Sequence, residues 1–253
     1  MRIDLNSDLG EAYGPWVMGD DAQMLEYVTS ANIACGGHAG DSETMYRTLR
    51  LAAERGVRVG AHPGYCDREG FGRRLIPMQP SEIGRMVAAQ VGALSALARL
   101  VGTHVGYVKP HGALGNLAAA DTAVAKAIVA MVKSIDPTLA VLAISGTALE
   151  RAARESGIRV FSEIFADRAY LPNGQLMPRG QPGAVLHDID EAVDRLVGYL
   201  KTGRMPVVGA DPIALAAHSI CVHGDNVEAV QMARQIRVRL QAEGIAVVAF
   251  SSQ

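Results

Sequence analysis

The chain has 253 residues, 49% of them hydrophobic, and carries 24 Lys and Arg against 26 Asp and Glu, for a formal charge of -2 at pH 7. This near balance excludes the electrostatic footprint of a nucleic-acid or anionic-membrane binder. No apolar run reaches the roughly 18 residues of a spanning helix, and the opening MRIDLNSDLGE lacks a signal-peptide core. A cytoplasmic protein is therefore expected. Its three cysteines, odd in number and without metal-type spacing, fit a reducing compartment.

Strand-length apolar runs alternate with helix-like segments, and no linker interrupts them, which predicts one α/β domain spanning residues 1–253. Arg2 to Asn6 reads as the first strand, discharging into Asp8, Gly10 and Glu11. Asp20 is predicted to cap a helix running to about Val28, and a second strand follows to Cys35 and leads into GGHAGD, with His38 and Asp41. Met45, Leu49 and Ala52 recur at helical spacing. The third strand delivers His62 into HPGYCDREGFGRR, a loop dense in glycine and charge that contains Arg73 and Arg74. Pro80 opens a long helix with Ile83, Val87, Val91 and Leu94 on its buried face.

His104 begins the fourth strand, and Lys109 and His111 end it around Pro110. Asp121 to Ile135 reads as a helix, Leu139 to Ile144 as a strand, Thr147 to Ser156 as a short helix, and Arg159 to Glu163 as the sixth strand. That strand feeds a second charged loop with Glu163, Asp167, Arg168 and Arg179, whose Asn-Gly pair predicts a small hairpin turn. A helix over Asp190 to Lys201 follows. His218 begins the last strong strand, and His223, followed by Asp225, ends it. A final helix and the run Ile245 to Phe250 bring the count to seven or eight strands.

Parallel strands gather their C-terminal ends at one face, so His38, His62, His111 and His223 are expected to share one mouth, with His104 and His218 at the opposite end. No phosphate loop, dinucleotide fingerprint or H-E-x-x-H motif is present. Two chemistries stay open. The histidines with Asp8, Glu11 and Asp41 could hold a metal through a mixed His/carboxylate set, although their spacing has no diagnostic signature. A metal-free site would use His as acid and base, carboxylates to orient it, and Lys109 or an arginine to hold an anion. Lys109 and His111, at a strand end where Pro110 and Gly112 bracket the histidine, are expected to face the mouth and not the core, so that replacing either leaves folding largely intact.

The segments DLNSDLGE, ANIACGGHAGD, GAHPGY, GFGRR, VKPHGAL, EIFADRAY and ICVHGDN resemble the LamB/YcsF family, the A subunits of 5-oxoprolinase. The resemblance spans almost the whole chain. It implies a seven-stranded (β/α) barrel similar to the glycoside hydrolase/deacetylase-like fold. It also implies participation, with two further subunits, in ATP-dependent opening of 5-oxoproline to L-glutamate. The motif positions carried over as catalytic are Lys109, His111, His38, His62 and Asp41. Those carried over as substrate-binding are Asp8, Glu11, Arg73, Asp167, Arg168, His223 and Asp225. ATP is then expected either here or mainly on a partner. Gly37, Cys66 and Gly115 depart from the family pattern and are expected to widen the pocket.

Overall fold

The computed structural model describes residues 1–222 and 227–250, with the backbone alone for 227 and 228. Strands β1 (Arg2–Leu9), β2 (Ser30–Ala34), β3 (Arg58–His62), β4 (Val105–Val108), β5 (Ala140–Ile144) and β6 (Arg159–Phe165) pair in parallel and in sequence order. Two further strands, β7 (Arg204–Val207) and β8 (Ala210–Ala214), form a separate antiparallel hairpin, and β9 (Ser219–Val222) pairs with both β6 and β1. That last pairing closes a seven-stranded parallel barrel, as the family resemblance implies.

The eighth candidate strand, β10 (Ala246–Val247), does not enter the ring. It pairs with Arg2 and Ile3, below the stretch Asp4–Ser7 that β9 occupies, and so extends the N-terminal rim. The hairpin of β7 and β8 carries a register shift between Met205 and Val207, which explains why no simple strand period is visible there.

Helices α1 (Asp21–Met24), α2 (Ser42–Glu54), α3 (Pro80–Leu100), α4 (Gly112–Ala120), α5 (Thr122–Ile135), α6 (Ala148–Glu155), α7 (Ile189–Thr202) and α8 (Val227–Ala242) follow or separate the strands. The first is only one turn, shorter than expected, although Asp20 caps it by accepting from Gln23 N. The main apolar core lies between the helices and the outer faces of the strands, where Leu5, Ile33, Leu49, Val91, Leu94 and Ile128 are fully buried. Among the described residues no single helix is long and apolar enough to cross a membrane.

Inside the barrel the alternation of β1 sends Ile3, Leu5 and Leu9 outward and Asp4, Asn6 and Asp8 inward. The register aligns Asn6 with Ser30, Asp8 with Asn32, Ala34 with His62, and Glu163 with Ser219. Polar groups on this side continue upward into the mouth. The other side of the interior is apolar, with Tyr107, Ala140, Leu142, Phe161 and Phe250 in contact. Gly60 makes this filling possible, because a Cβ there would lie 2.2 Å from the Tyr107 ring.

Candidate active site

The interior polar column starts at Asp4, which is fully buried and accepts from the hydroxyls of Ser30 (2.6 Å), Thr29 (2.7 Å) and Ser219. Burial pushes its carboxyl up to about 6, against the lowering effect of those hydroxyls. One level higher, Asn6 donates to Ser219 Oγ at 2.6 Å and accepts from Asn32 Nδ2 at 2.7 Å. Asn32 also donates to Asp8 at 2.8 Å and accepts from the Tyr107 hydroxyl at 2.6 Å. Each amide thus links two strands.

Lys109 caps this column. It is 5% exposed, with Nζ at 2.8 Å from Glu163, 3.0 Å from Asp8, 3.2 Å from Asn6 and 3.1 Å from Cys221 Sγ. Burial alone would lower its pKa, but Asp8, Cys221 and Glu163 outweigh burial and move it well above the ordinary lysine value. Lys109 is therefore a fixed ammonium that holds two carboxylates, and it cannot act as a base near neutral pH. The side chain is embedded in the barrel as well as bordering the mouth, so its removal is expected to cost stability instead of sparing the fold.

Above Lys109 the three imidazoles meet. His62 closes β3, His111 is the N-cap residue of α4, and His38 comes from the loop after β2. His62 Nδ1 donates to the Lys109 carbonyl at 2.7 Å, and His111 Nε2 donates to the Phe71 carbonyl at 2.9 Å. The remaining nitrogens, His62 Nε2 and His111 Nδ1, face each other at 3.0 Å. Asp8 lies 3.3 Å from the former and Glu11 3.5 Å from the latter. His38 donates through Nε2 to Glu11 at 2.9 Å, and its ring stacks on His111 with centroids 3.6 Å apart. Burial holds His38 and His111 well below the ordinary histidine pKa, so both are neutral at pH 7.

The loop after His62 is fitted onto these rings. Phe71, at φ 52°, sets its ring edge-on to His38 and His111 while its carbonyl receives the His111 proton. A non-glycine residue in this region is strained, and here the strain positions a carbonyl. Gly72 follows at φ 61°, and a Cβ there would lie 2.6 Å from His38 and 2.9 Å from His111.

A cavity of about 420 Å³ opens over the cluster, lined by Asp8, Glu11, His62, Lys109, His111 and Glu163 together with Arg73, Arg168 and Arg179. Arg168 also braces the loop above it, donating to the carbonyls of Met177 (2.5 Å) and Ala184 (3.3 Å), and burial lowers its pKa to about 10. The predicted Asn-Gly turn is present here, with Tyr170 and Leu176 bridged antiparallel.

Several of the expected residues lie away from the cavity. Asp41 is not at the cavity: its carboxylate caps α2 by accepting from Thr44 N (2.9 Å) and also holds Gly14 N (2.7 Å), which keeps its pKa below the usual range. His38 lies behind Glu11 and His111 and does not line the cavity, and Asp167, although buried, does not line it either. His223 and Asp225 lie outside the described residues. His104 and His218 belong to the opposite end, as expected: His104 precedes β4, and His218 lies beside Arg2 and Asp4. Of the three family departures only Gly115 borders the cavity; Cys66 is exposed, and the space beside Gly37 is filled by Gln90 and the Gly64 carbonyl.

Sequence reasoning misses Asn6, Asn32 and Phe71, and it places Glu163 and Arg179 only in a charged loop. The period-2 polar run Asp4, Asn6, Asp8 is the signal that identifies the first of these. Nothing local marks Phe71.

Fold and site together define a seven-stranded (β/α) barrel with a His/carboxylate/Lys cluster at the C-terminal ends of its strands, the usual position for catalysis in such barrels. The model of the LamB/YcsF family matches residues 3–253, and the chain belongs to that family. It is 54% identical over 250 residues to the 5-oxoprolinase A subunit of Nocardia farcinica, covering 99% of this chain and 100% of that one. It is 52% identical over 249 residues to the 5-oxoprolinase A subunit of Gluconobacter oxydans, covering 98% of each. The crystal structure of a lactam utilization protein from Thermus thermophilus superposes with a TM-score of 0.93 at 41% identity, over 99% of this chain and 100% of that one.

Proposed function

We propose that this chain is the A subunit of a cytoplasmic 5-oxoprolinase, working with two further subunits to open the lactam of 5-oxoproline to L-glutamate at the expense of ATP. The observation that carries this reading is one small-molecule cavity in which a buried His/carboxylate cluster meets three arginines. The names of the full-length relatives support it. An unstrained lactam resists water because amide resonance must be broken. Transfer of the ATP γ-phosphoryl group to the lactam oxygen would release ADP and leave the ring carbon open to attack.

In this scheme water adds to that carbon as a carboxylate lining the cavity takes its proton, and the ring C–N bond breaks with the nitrogen protonated. A second water then hydrolyses the resulting acyl phosphate to glutamate and phosphate. Arg73, Arg168 and Arg179 suit the substrate carboxylate or the phosphoryl oxygens. Lys109, already committed to Asp8 and Glu163, keeps the carboxylates in place. The absence of a phosphate-loop motif from the sequence favours a partner as the main holder of ATP.

Glutamate release from 5-oxoproline and ATP, measured with the chain alone and with both partners, tests this reading. Turnover is expected only from the assembled complex with ATP, and Arg73→Met is expected to raise KM for 5-oxoproline at least tenfold. Amide hydrolysis by the isolated chain without ATP would replace this reading with a metal-dependent amidase, the alternative that the His/carboxylate cluster favours.

A further inference from the structure

We propose that Glu11, His62 and His111 bind one divalent transition-metal ion, with Asp8 beside them and His38 as the residue that orients Glu11. The two imidazole tautomers are fixed by the backbone. His62 gives its Nδ1 proton to one carbonyl and His111 gives its Nε2 proton to another. In the neutral rings the two nitrogens facing each other at 3.0 Å are then both lone pairs. Lone pairs at that separation repel unless a cation lies between them. Imidazoles pinned through their far nitrogen to a carbonyl are the usual outer support of metal-binding histidines.

The spacing fits the same occupant. Ligand atoms at about 2.0–2.1 Å from a tetrahedral ion stand about 3.3 Å apart. Between the proposed ligands the edges are 3.0 Å from His62 to His111 and 3.5 Å from His111 Nδ1 to Glu11, and the neighbouring Asp8 stands 3.3 Å from His62 Nε2. Ligand atoms of Glu11, His38, His62 and His111 all fall within 4.8 Å of one another, and all four residues are buried. The donor chemistry agrees, since each imidazole lone pair has an anionic oxygen beside it, Asp8 next to His62 and Glu11 next to His111. His38, donating to Glu11 at 2.9 Å, fixes the carboxylate on the side opposite the cavity. Two imidazoles with carboxylates suit Zn²⁺, Co²⁺ or Mn²⁺ better than Mg²⁺, which prefers oxygen and water. An ion there would border the cavity and could polarise a carbonyl or a water.

The full-length chain, stripped with a chelator and exchanged into metal-free buffer, is titrated calorimetrically with Zn²⁺, Co²⁺ and Mg²⁺, and the Co²⁺ complex is followed by its visible absorption. The expected result is one Zn²⁺ per chain, a Co²⁺ spectrum of a nitrogen/oxygen site that Zn²⁺ abolishes, and Mg²⁺ at least a hundredfold weaker. Glu11→Gln and His111→Ala should each weaken Zn²⁺ at least tenfold, whereas Asp41→Asn, at the helix cap, should not. Circular dichroism checks that the variants fold. Should the His111 variant fail to fold, the near-isosteric Glu11→Gln and the shift of the parent's histidine ring resonances on adding Zn²⁺ still decide. Absence of stoichiometric binding, or binding indifferent to Glu11→Gln, overturns the proposal and leaves a proton shared between His62 and His111. No turnover is read, so this result and the lactam-opening reading can fail separately.

Discussion

Replacing Lys109 by methionine preserves the length of the stem and removes the ammonium that Asp8 and Glu163 share at 3.0 and 2.8 Å. Asn6 and Cys221 lose a donor at the same time. Removing one partner of a buried ion pair costs about 3–5 kcal/mol, because the other charge stays buried without compensation. Here two carboxylates lose the same partner, which puts the expected loss near the upper end, about 5 kcal/mol. For a chain of this size each kcal/mol moves the melting temperature by roughly 2–4 °C, so a fall of about 10–20 °C is expected. Urea denaturation at pH 7 measures the loss directly. Adding Glu163→Gln to the methionine variant should recover at least about 1 kcal/mol, since one orphaned charge is removed. A Lys109→Met chain within about 1 kcal/mol of the parent, with no recovery in the double variant, would refute the view that this lysine holds the barrel interior together.

Asp4 has a folded pKa of about 6 against 3.8 for the free group, so the stability it contributes is complete below about pH 4 and is lost as pH rises through 6. Asp4→Asn should therefore gain stability relative to the parent as pH rises from 4 to 8, by roughly 2–3 kcal/mol from the size of that shift, and a flat difference across that range would count against it. Asp41→Ala should cost about 1 kcal/mol in urea denaturation, the usual value of a lost N-cap, and leave turnover of the complex unchanged; a large loss of turnover at unchanged stability would return Asp41 to the site. At Phe71, the glycine variant should be more stable than the alanine variant by about 1 kcal/mol because φ is 52°, and equal stabilities would show that the backbone there is not strained.

The mouth was legible in the sequence because a parallel strand exposes its chemistry where it ends. His62 and His111 sit at or just beyond the ends of β3 and β4, and any closure of parallel strands brings such ends together. The long helix from Pro80 was legible as well, since an apolar stripe at helical period needs no knowledge of what it packs against. Asp41 shows the limit of that reasoning: an aspartate three residues past His38 serves equally well as a ligand or as a cap, and only the direction in which α2 leaves the barrel decides for the cap.

The tertiary structure alone decided the rest. Asp4, Asn6 and Asp8 alternate on β1, but a polar face on a strand normally turns to water. Here closure of the ring turns it inward, where Asn32, Lys109 and Glu163 from three other strands and strand ends satisfy it. The protonation pattern of the histidine pair depends on the backbone carbonyls of Lys109 and Phe71, groups every residue carries and no sequence pattern distinguishes. Residue types at strand ends are a local property of the chain, whereas which nitrogen carries a proton is set by the carbonyl the fold places within hydrogen-bond reach.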